Sequence, residues 1–249
     1  MMMRMLCVLA VVFAMRTPVS AQPLEGDYLY RVTTVRAAPG KLEALIDWTT
    51  AMKESDYFKD AGEFPPLIMR HSQGDQWDLL KITPMESWQA YYSKRRTSVR
   101  EKADATHLDK LQSGFSLVAF EEDHFAYGPP LETVVEEFDS HGFFHIEMFE
   151  AAPGRTGELI EQRRMENAYL AATGQKPNMI FTRAAGSDVD AFTIGFHESF
   201  EAFATQGPAS SEAAEVAAQS AGFKSRADIS YFLRSLISGH YDTLAVKAE

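Results

Sequence analysis

The chain has 249 residues and carries 24 lysines and arginines against 35 aspartates and glutamates, a formal charge of −11. So acidic a balance excludes nucleic acid as the natural partner, because phosphate binding draws on a basic surface. The single cysteine, Cys7, excludes a disulfide framework, and the length is sufficient to build a core without one.

Arg4 opens the chain with a positive charge, Leu6 to Met15 is an apolar run, and Arg16-Thr17-Pro18 breaks it. Val19-Ser20-Ala21 then places small residues at the −3 and −1 positions of a cleavage site before Gln22. A run of about ten residues spans roughly 15 Å as helix, half a bilayer core of about 30 Å. Residues 1–21 therefore read as a signal peptide cleaved after Ala21, the alternative being an uncleaved anchor. The mature product is expected to be secreted or periplasmic, with no transmembrane segment. Cys7 lies within the leader, so no thiolate ligand or cysteine nucleophile remains.

Tyr28 to Arg36 alternates and is rich in β-formers, a strand. Pro39-Gly40 ends it, and Leu42, Leu45, Ile46, Thr49 and Met52 form a helical stripe from Lys41 to about Phe58. Leu67 to His71 and Gln76 to Ile82 are short strands around a Gly74-Asp75 turn. Met85 to about Lys102 is helical; its basic run Lys94-Arg95-Arg96 with Arg100 and Lys102 reads as a solvated face rather than an anion site. Leu117 to Tyr127 supplies a last strand, and Gly128-Pro129-Pro130 opens a linker, residues 129–141. The second half follows with Phe143 to Glu150, Thr156 to Ala171, Met179 to Arg183, Val189 to Phe196, a helical stretch from Glu198 to Leu236, and Tyr241 to Lys247.

The two halves, residues 22–128 and 142–249, are copies. Ala37-Ala38-Pro39-Gly40-Lys41 recurs as Ala151-Ala152-Pro153-Gly154-Arg155, and Leu45-Ile46 recurs as Leu159-Ile160 at the same offset. Gly74, Asp78, Ile82, Glu86, Ser87 and Ala90 recur as Gly186, Asp190, Ile194, Glu198, Ser199 and Ala202. Leu111, Ser113 and Gly114 match Leu236, Ser238 and Gly239 at a larger offset, which puts an insertion at Gly207 to Gly222. The order β-α-β-β-α-β, read twice, is an α+β fold of two tandem ferredoxin-like units.

Strand, Ala-Pro-Gly-Lys/Arg, amphipathic helix, Gly-turn hairpin and Glu-Ser-aromatic helix start together resemble the dimeric α/β-barrel superfamily, closest to NIPSNAP-like and antibiotic-biosynthesis-monooxygenase-like domains. The resemblance covers nearly all of the mature chain. It implies that the two units enclose a barrel within one chain. It also implies a cofactor-free oxygenase, isomerase or cyclase, some members of the superfamily holding haem through a histidine instead. Their haem-ligand motif maps onto none of the seven histidines here, and no cofactor is assigned.

Alternation sorts the first strand of each half by face. Tyr30, Val32 and Thr34, with Phe144, Ile146 and Met148, suit packing under helices. Leu29, Arg31, Thr33 and Val35, with Phe143, His145, Glu147 and Phe149, have apolar ends and a polar centre, and are assigned to the barrel interior. Arg31, His145 and Glu147 are then the candidate catalytic residues: His145 and Glu147 for proton transfer, Arg31 for an anionic oxygen. His71 and Arg183, at equivalent strand ends, with Trp77 and Lys81, are the candidate ligand-binding residues. His-x-Glu supplies two metal donors and no spacing announces a third, so no metal site is assigned. The competing reading is a buried ion network without chemistry. His107, His124, His141, His197 and His240 are assigned to surface or capping positions. The expected function is an exported protein binding a small organic molecule in its barrel, acting by acid/base chemistry. The alternatives are a non-catalytic ligand-binding or protein-interaction module, and further oligomerisation stays open.

Overall fold

A computed structural model describes residues 23–205, 207 and 209–248, so the proposed signal peptide lies outside the described residues. The elements in chain order are β1 (Tyr28–Ala37), α1 (Leu42–Glu54), α2 (Tyr57–Ala61), β2 (Leu67–Gln73), β3 (Leu79–Glu86), α3 (Trp88–Tyr91), α4 (Lys94–Thr106), α5 (Leu108–Phe115) and β4 (Val118–Gly128). There follow α6 (Leu131–Ser140), β5 (Phe143–Ala151), α7 (Thr156–Ala172), β6 (Met179–Ala185), β7 (Ala191–His197), α8 (Phe200–Ala204), α9 (Ser211–Ser220), α10 (Asp228–Leu236) and β8 (Ile237–Lys247). Helix α9 falls in the expected insertion. No helix among the described residues is long and apolar enough to cross a membrane.

The eight strands close into one antiparallel barrel in the order β1-β3-β2-β8-β5-β7-β6-β4. The first four strands run β4-β1-β3-β2 and the last four β8-β5-β7-β6, so both halves use the same order. They join at β2–β8 and β4–β6. The sequence repeat is visible as repeated bonds. The Asp78 carboxylate accepts from the Ala37 N–H at 2.8 Å, and Asp190 accepts from Ala151 at 2.8 Å. Ser87 caps α3 through the Ala90 N–H at 3.2 Å, and Ser199 caps α8 through Ala202 at 3.2 Å. Gly40 and Gly154 both turn the strand-to-helix corner with positive φ, 73° and 79°.

The faces are the reverse of those expected. Tyr30, Val32, Phe144, Ile146 and Met148 fill the barrel together with Leu80, Ile82, Phe181, Phe192 and Phe196. Phe181 stacks on Phe192 at 4.5 Å, and Tyr30 meets Phe181 edge-on at 5.7 Å. The face bearing Leu29, Arg31, Thr33 and Val35, and its counterpart in β5, lies under the helices. Val35 packs with Leu45 of α1, and Phe149 with Leu159 of α7 and Leu233 of α10. Both faces of each sheet are covered, so apolar strand ends do not mark the inside. Apolar and aromatic side chains pack the barrel interior, where a charge would be desolvated, so the more apolar face of each first strand goes there.

The segment expected to be a linker carries α6. Its Val134 and Phe138 enter the barrel core, and Phe138 stacks on Phe144 at 5.4 Å. Helix α6 thus closes the end of the barrel where β4 finishes and β5 begins. Trp77 precedes β3, and alternation does not extend back to it. The residue is 3% exposed and packs in the barrel core, while Leu79 and Lys81 sit outside. The basic run is only partly a solvated face. Arg96 and Arg100 both pair with the Glu63 carboxylate, at 2.5 and 2.9 Å, and Arg100 lies 3.9 Å over the Tyr91 ring.

Candidate functional site

The outer face of the second half holds a polar cluster between β5, β7 and β8 below and α7, α8 and α10 above. β5 places His145 and Glu147 two residues apart on one face, and β8 sets Asp242 directly opposite Glu147. His145 Nε2 meets Asp242 Oδ1 at 2.6 Å. Glu147 is buried. It accepts from Thr193 Oγ1 at 3.3 Å and from Arg163 at 3.5 Å, and His240 Nε2 stands 3.4 Å from its other oxygen. Arg163 is itself buried on α7, pairing with Glu166, donating to Gln162 at 2.7 Å and lying 4.6 Å over Phe149. His240 stacks flat on the Phe149 ring, at 4.9 Å and 7°.

A cleft of about 620 Å³ opens beside this cluster, with His145, Glu147, Glu166, Lys176, Asn178, His197 and Phe203 among its walls. His145 and His197 both pack on the Phe203 ring, at 5.0 and 5.2 Å. Gly195 of β7 lies between them. A Cβ there would come 2.8 Å from Asn178 Oδ1 and 3.1 Å from His197 Nε2, so the missing side chain is what lets these polar atoms crowd together.

The environments of the two histidines differ in sign. Burial alone would push the His145 imidazole down, but its bond to Asp242 and the charges of Glu147, Asp242 and Glu166 outweigh burial and raise it above the ordinary 6.5. His197 is pushed down to about 4 by burial and by the positive charges of His145, His141 and Lys176. Burial opposes ionisation of Glu147, yet His240, Arg163 and His145 hold its carboxyl at about 2. Burial, reinforced by Glu147, raises Glu166 in spite of Arg163. One cleft thus holds a histidine poised to be charged beside one poised to be neutral.

Donor atoms of His145, Glu147 and Asp242 lie within 4.8 Å of one another, close enough to share a small cation. Asp242 is the third donor that sequence spacing did not announce. The Glu147 charge is already met by Arg163 and the Asp242 charge by His145, so the cluster stands as a hydrogen-bonded ion network.

The structure brings His145 and Glu147 together and leaves the other expected residues elsewhere. Arg31 occupies the His145 position of the first half, where it pairs with Asp123 at 3.8 Å, not with Glu147. The register makes Asp123, opposite Thr33, the counterpart of Asp242, opposite Glu147. A cation-to-aspartate pair therefore stands at the same place in both halves. Lys81 faces the first-half helices and pairs with Glu121 at 3.2 Å. Arg183 is fastened to its own hairpin, donating to Asp190 at 2.7 Å and to the Ser187 carbonyl at 3.1 Å. His71 packs on Trp77 at 5.6 Å on the barrel side. Among the histidines assigned to surface or capping positions, His141 does end α6, bonding the Glu137 carbonyl at 2.8 Å, and His107 lies between α4 and α5. His197 and His240 belong to the cluster instead, and His124 is buried in the barrel. Asp242, His240 and His197 share the period-two face of the cluster. Arg163 and Glu166 come from a helix with no strong apolar stripe, and only the three-dimensional contact reveals them.

No family profile and no curated protein sequence matches the chain. Solved structures do. A crystal structure of an anthrone oxidase-like protein superposes with a TM-score of 0.56 at 12% identity, covering 90% of this chain and 92% of the other. A putative monooxygenase from Lactobacillus acidophilus superposes with a TM-score of 0.50 at 8% identity, covering 89% and 94%. At these identities the likeness is one of fold: a closed eight-stranded α+β barrel of the kind the dimeric α/β-barrel resemblance implies.

Proposed function

We propose that the chain is an exported enzyme that moves a proton on a small aromatic ketone or phenol in the cleft of its second half. We further propose that its halves are fused ferredoxin-like units related to the antibiotic-biosynthesis-monooxygenase-like and NIPSNAP-like domains. The observation that carries the functional reading is the pairing of His145, bonded to Asp242 at 2.6 Å, with His197 across the Phe203 ring. Two groups of one kind whose environments push their proton affinities apart are suited to serve as acid and base at one pH. Neutral His197 takes the acidic C–H or O–H proton. The developing enolate or phenolate oxygen is met by the imidazolium of His145, with the side-chain amide of Asn178 beside it. Phe203 offers a face on which an aromatic ring stacks, and a cleft of about 620 Å³ is within the range of small-molecule sites. Glu147 does not touch the reacting atoms in this scheme; held by Arg163, it fixes charge near His145.

The anthrone oxidase-like neighbour suggests the probe. Anthrone, incubated with the purified protein in D₂O, should exchange its methylene hydrogens faster than in buffer. His197→Ala and His145→Ala should each reduce that exchange about 100-fold, the size of a general acid/base contribution, with unchanged circular dichroism. Exchange equal to buffer, together with tight anthrone binding, would instead establish the ligand-binding module without turnover.

A further inference from the structure

The end of the barrel opposite α6 is open, and its chemistry is unlike that of the cleft. A depression of about 270 Å³ is framed there by the two repeat-related hairpin turns, which supply Asp75, Trp77 and Asp188, and by strand ends that supply Glu122, Glu150, Phe120 and Tyr241. The lining holds four carboxylates and no lysine or arginine. Asp75 accepts from the Trp77 indole at 3.0 Å and Glu150 from the Tyr241 hydroxyl at 3.0 Å. Glu122 and Asp188 make no hydrogen bond or ion pair among the described residues.

A second, independent feature lies in the wall of the same depression. His124 is 3% exposed, packs edge-on against Phe192 at 5.9 Å, and its Nε2 has no hydrogen-bond partner. The Nε2 of His71, whose ring packs on Trp77, is unpartnered as well. Buried polar atoms in folded proteins are nearly always satisfied, so an orphaned imidazole nitrogen beside a cavity asks for a ligand atom.

We propose that this open end of the barrel binds a small organic ammonium ion, distinct from the substrate of the cleft. The charge requirement is met by the unpaired Glu122 and Asp188, with Asp75 and Glu150 adding to the field. Phe120 and Tyr241, both exposed, offer ring faces that attract an ammonium and accommodate its carbon tail, and the buried Trp77 and Met148 add apolar contact at the floor. An N–H of the ligand, or its tail group, reaches the His124 nitrogen. An inorganic cation fits less well. Among the described residues the only group of three or more metal-donor side chains lies at His145, Glu147 and Asp242, so no three of the mouth carboxylates converge on one ion.

The test is calorimetric titration of the purified protein with three probes of matched shape: 3-phenylpropylamine, 3-phenylpropan-1-ol and 3-phenylpropionate. The amine should bind saturably, at least tenfold tighter than the alcohol, and the acid should not bind. Affinity for the amine should fall at least tenfold in the double variant Glu122→Gln/Asp188→Asn, whose sites are solvent-facing and leave the core intact, and should be unchanged in His145→Ala. The His124 ring nitrogen resonances should shift on adding the amine. Equal binding of amine and alcohol, full affinity in the double variant, displacement by equimolar calcium, or an unmoved His124 signal would each overturn the proposal.

Discussion

Gly195 and the two histidines beside it are where single atoms decide the chemistry. Because a methyl group at 195 would press on Asn178 Oδ1 at 2.8 Å and on His197 Nε2 at 3.1 Å, Gly195→Ala must displace one of them. The strand tolerates alanine, so the fold should persist with a melting temperature within a few degrees of the parent, while exchange of anthrone protons falls at least tenfold. Equal activity would show that His197 and Asn178 do not act together. The pH profile follows from the same pair. The base works only when neutral and is lost as pH falls through about 4, where burial and neighbouring charges place His197. The acid works only when protonated and is lost as pH rises through the His145 value, which lies above 6.5. Proton transfer should thus be flat between these limits and fall on both sides, and His197→Ala should remove the acidic limb selectively. A profile whose acidic limb lies near 6.5 would mean that His197 is solvated and ordinary.

At the scale of elements, α6 and the α2–α4 corner carry more than their sequence suggests. Phe138 closes one end of the barrel on Phe144, so Phe138→Ala should cost about 3–5 kcal/mol of unfolding free energy in denaturant titration, while activity in the cleft survives in the folded fraction. Leu131, Val134, Val135 and Phe138 have the i, i+3, i+4, i+7 spacing of a buried helix face, a signal present in the sequence but overshadowed by Pro129-Pro130 just before it. Glu63, its side chain 8% exposed between Arg96 and Arg100, is a second test. Glu63→Ala leaves the half-buried Arg100 without its carboxylate and Arg96 with only the exposed Glu86 at 3.4 Å, and should destabilise by roughly 3 kcal/mol, against near neutrality if the basic run were only a solvated face. The repeat was legible because its matched residues are local devices: Asp78 and Asp190 tie hairpin to strand, Ser87 and Ser199 cap helices. Which face turns inward was not legible. Alternation fixes two sets of side chains but not their orientation, and the partners that reveal it, Arg163 for Glu147 and Phe181 for Tyr30, arrive from elements far along the chain or on another layer.

The whole molecule is a ring of strands without a free edge, its interior packed with apolar and aromatic side chains, and this sets how its stability responds to pH. His124 lies in that interior, where burial holds its imidazole at about 4 against the modest opposing pull of Asp123. Between about 4 and 6.5 the unfolded chain binds a proton at this position and the native chain does not, so stability must rise with pH across that window. A shift of this size corresponds to about 3 kcal/mol at most. His197 acts in the same direction, whereas Glu166, whose carboxyl is raised in the fold, works against it and softens the slope. His145 has the opposite sign: its folded value lies above 6.5, so its contribution is complete below 6.5 and is lost as pH rises through the folded value. Stability should therefore peak near neutrality and decline on both sides. His124→Phe, which keeps the ring and removes the proton site, should flatten the acidic slope of the denaturant midpoint between pH 4 and 6.5 without moving the alkaline one. An unchanged slope would place the acid sensitivity elsewhere than at the buried His124.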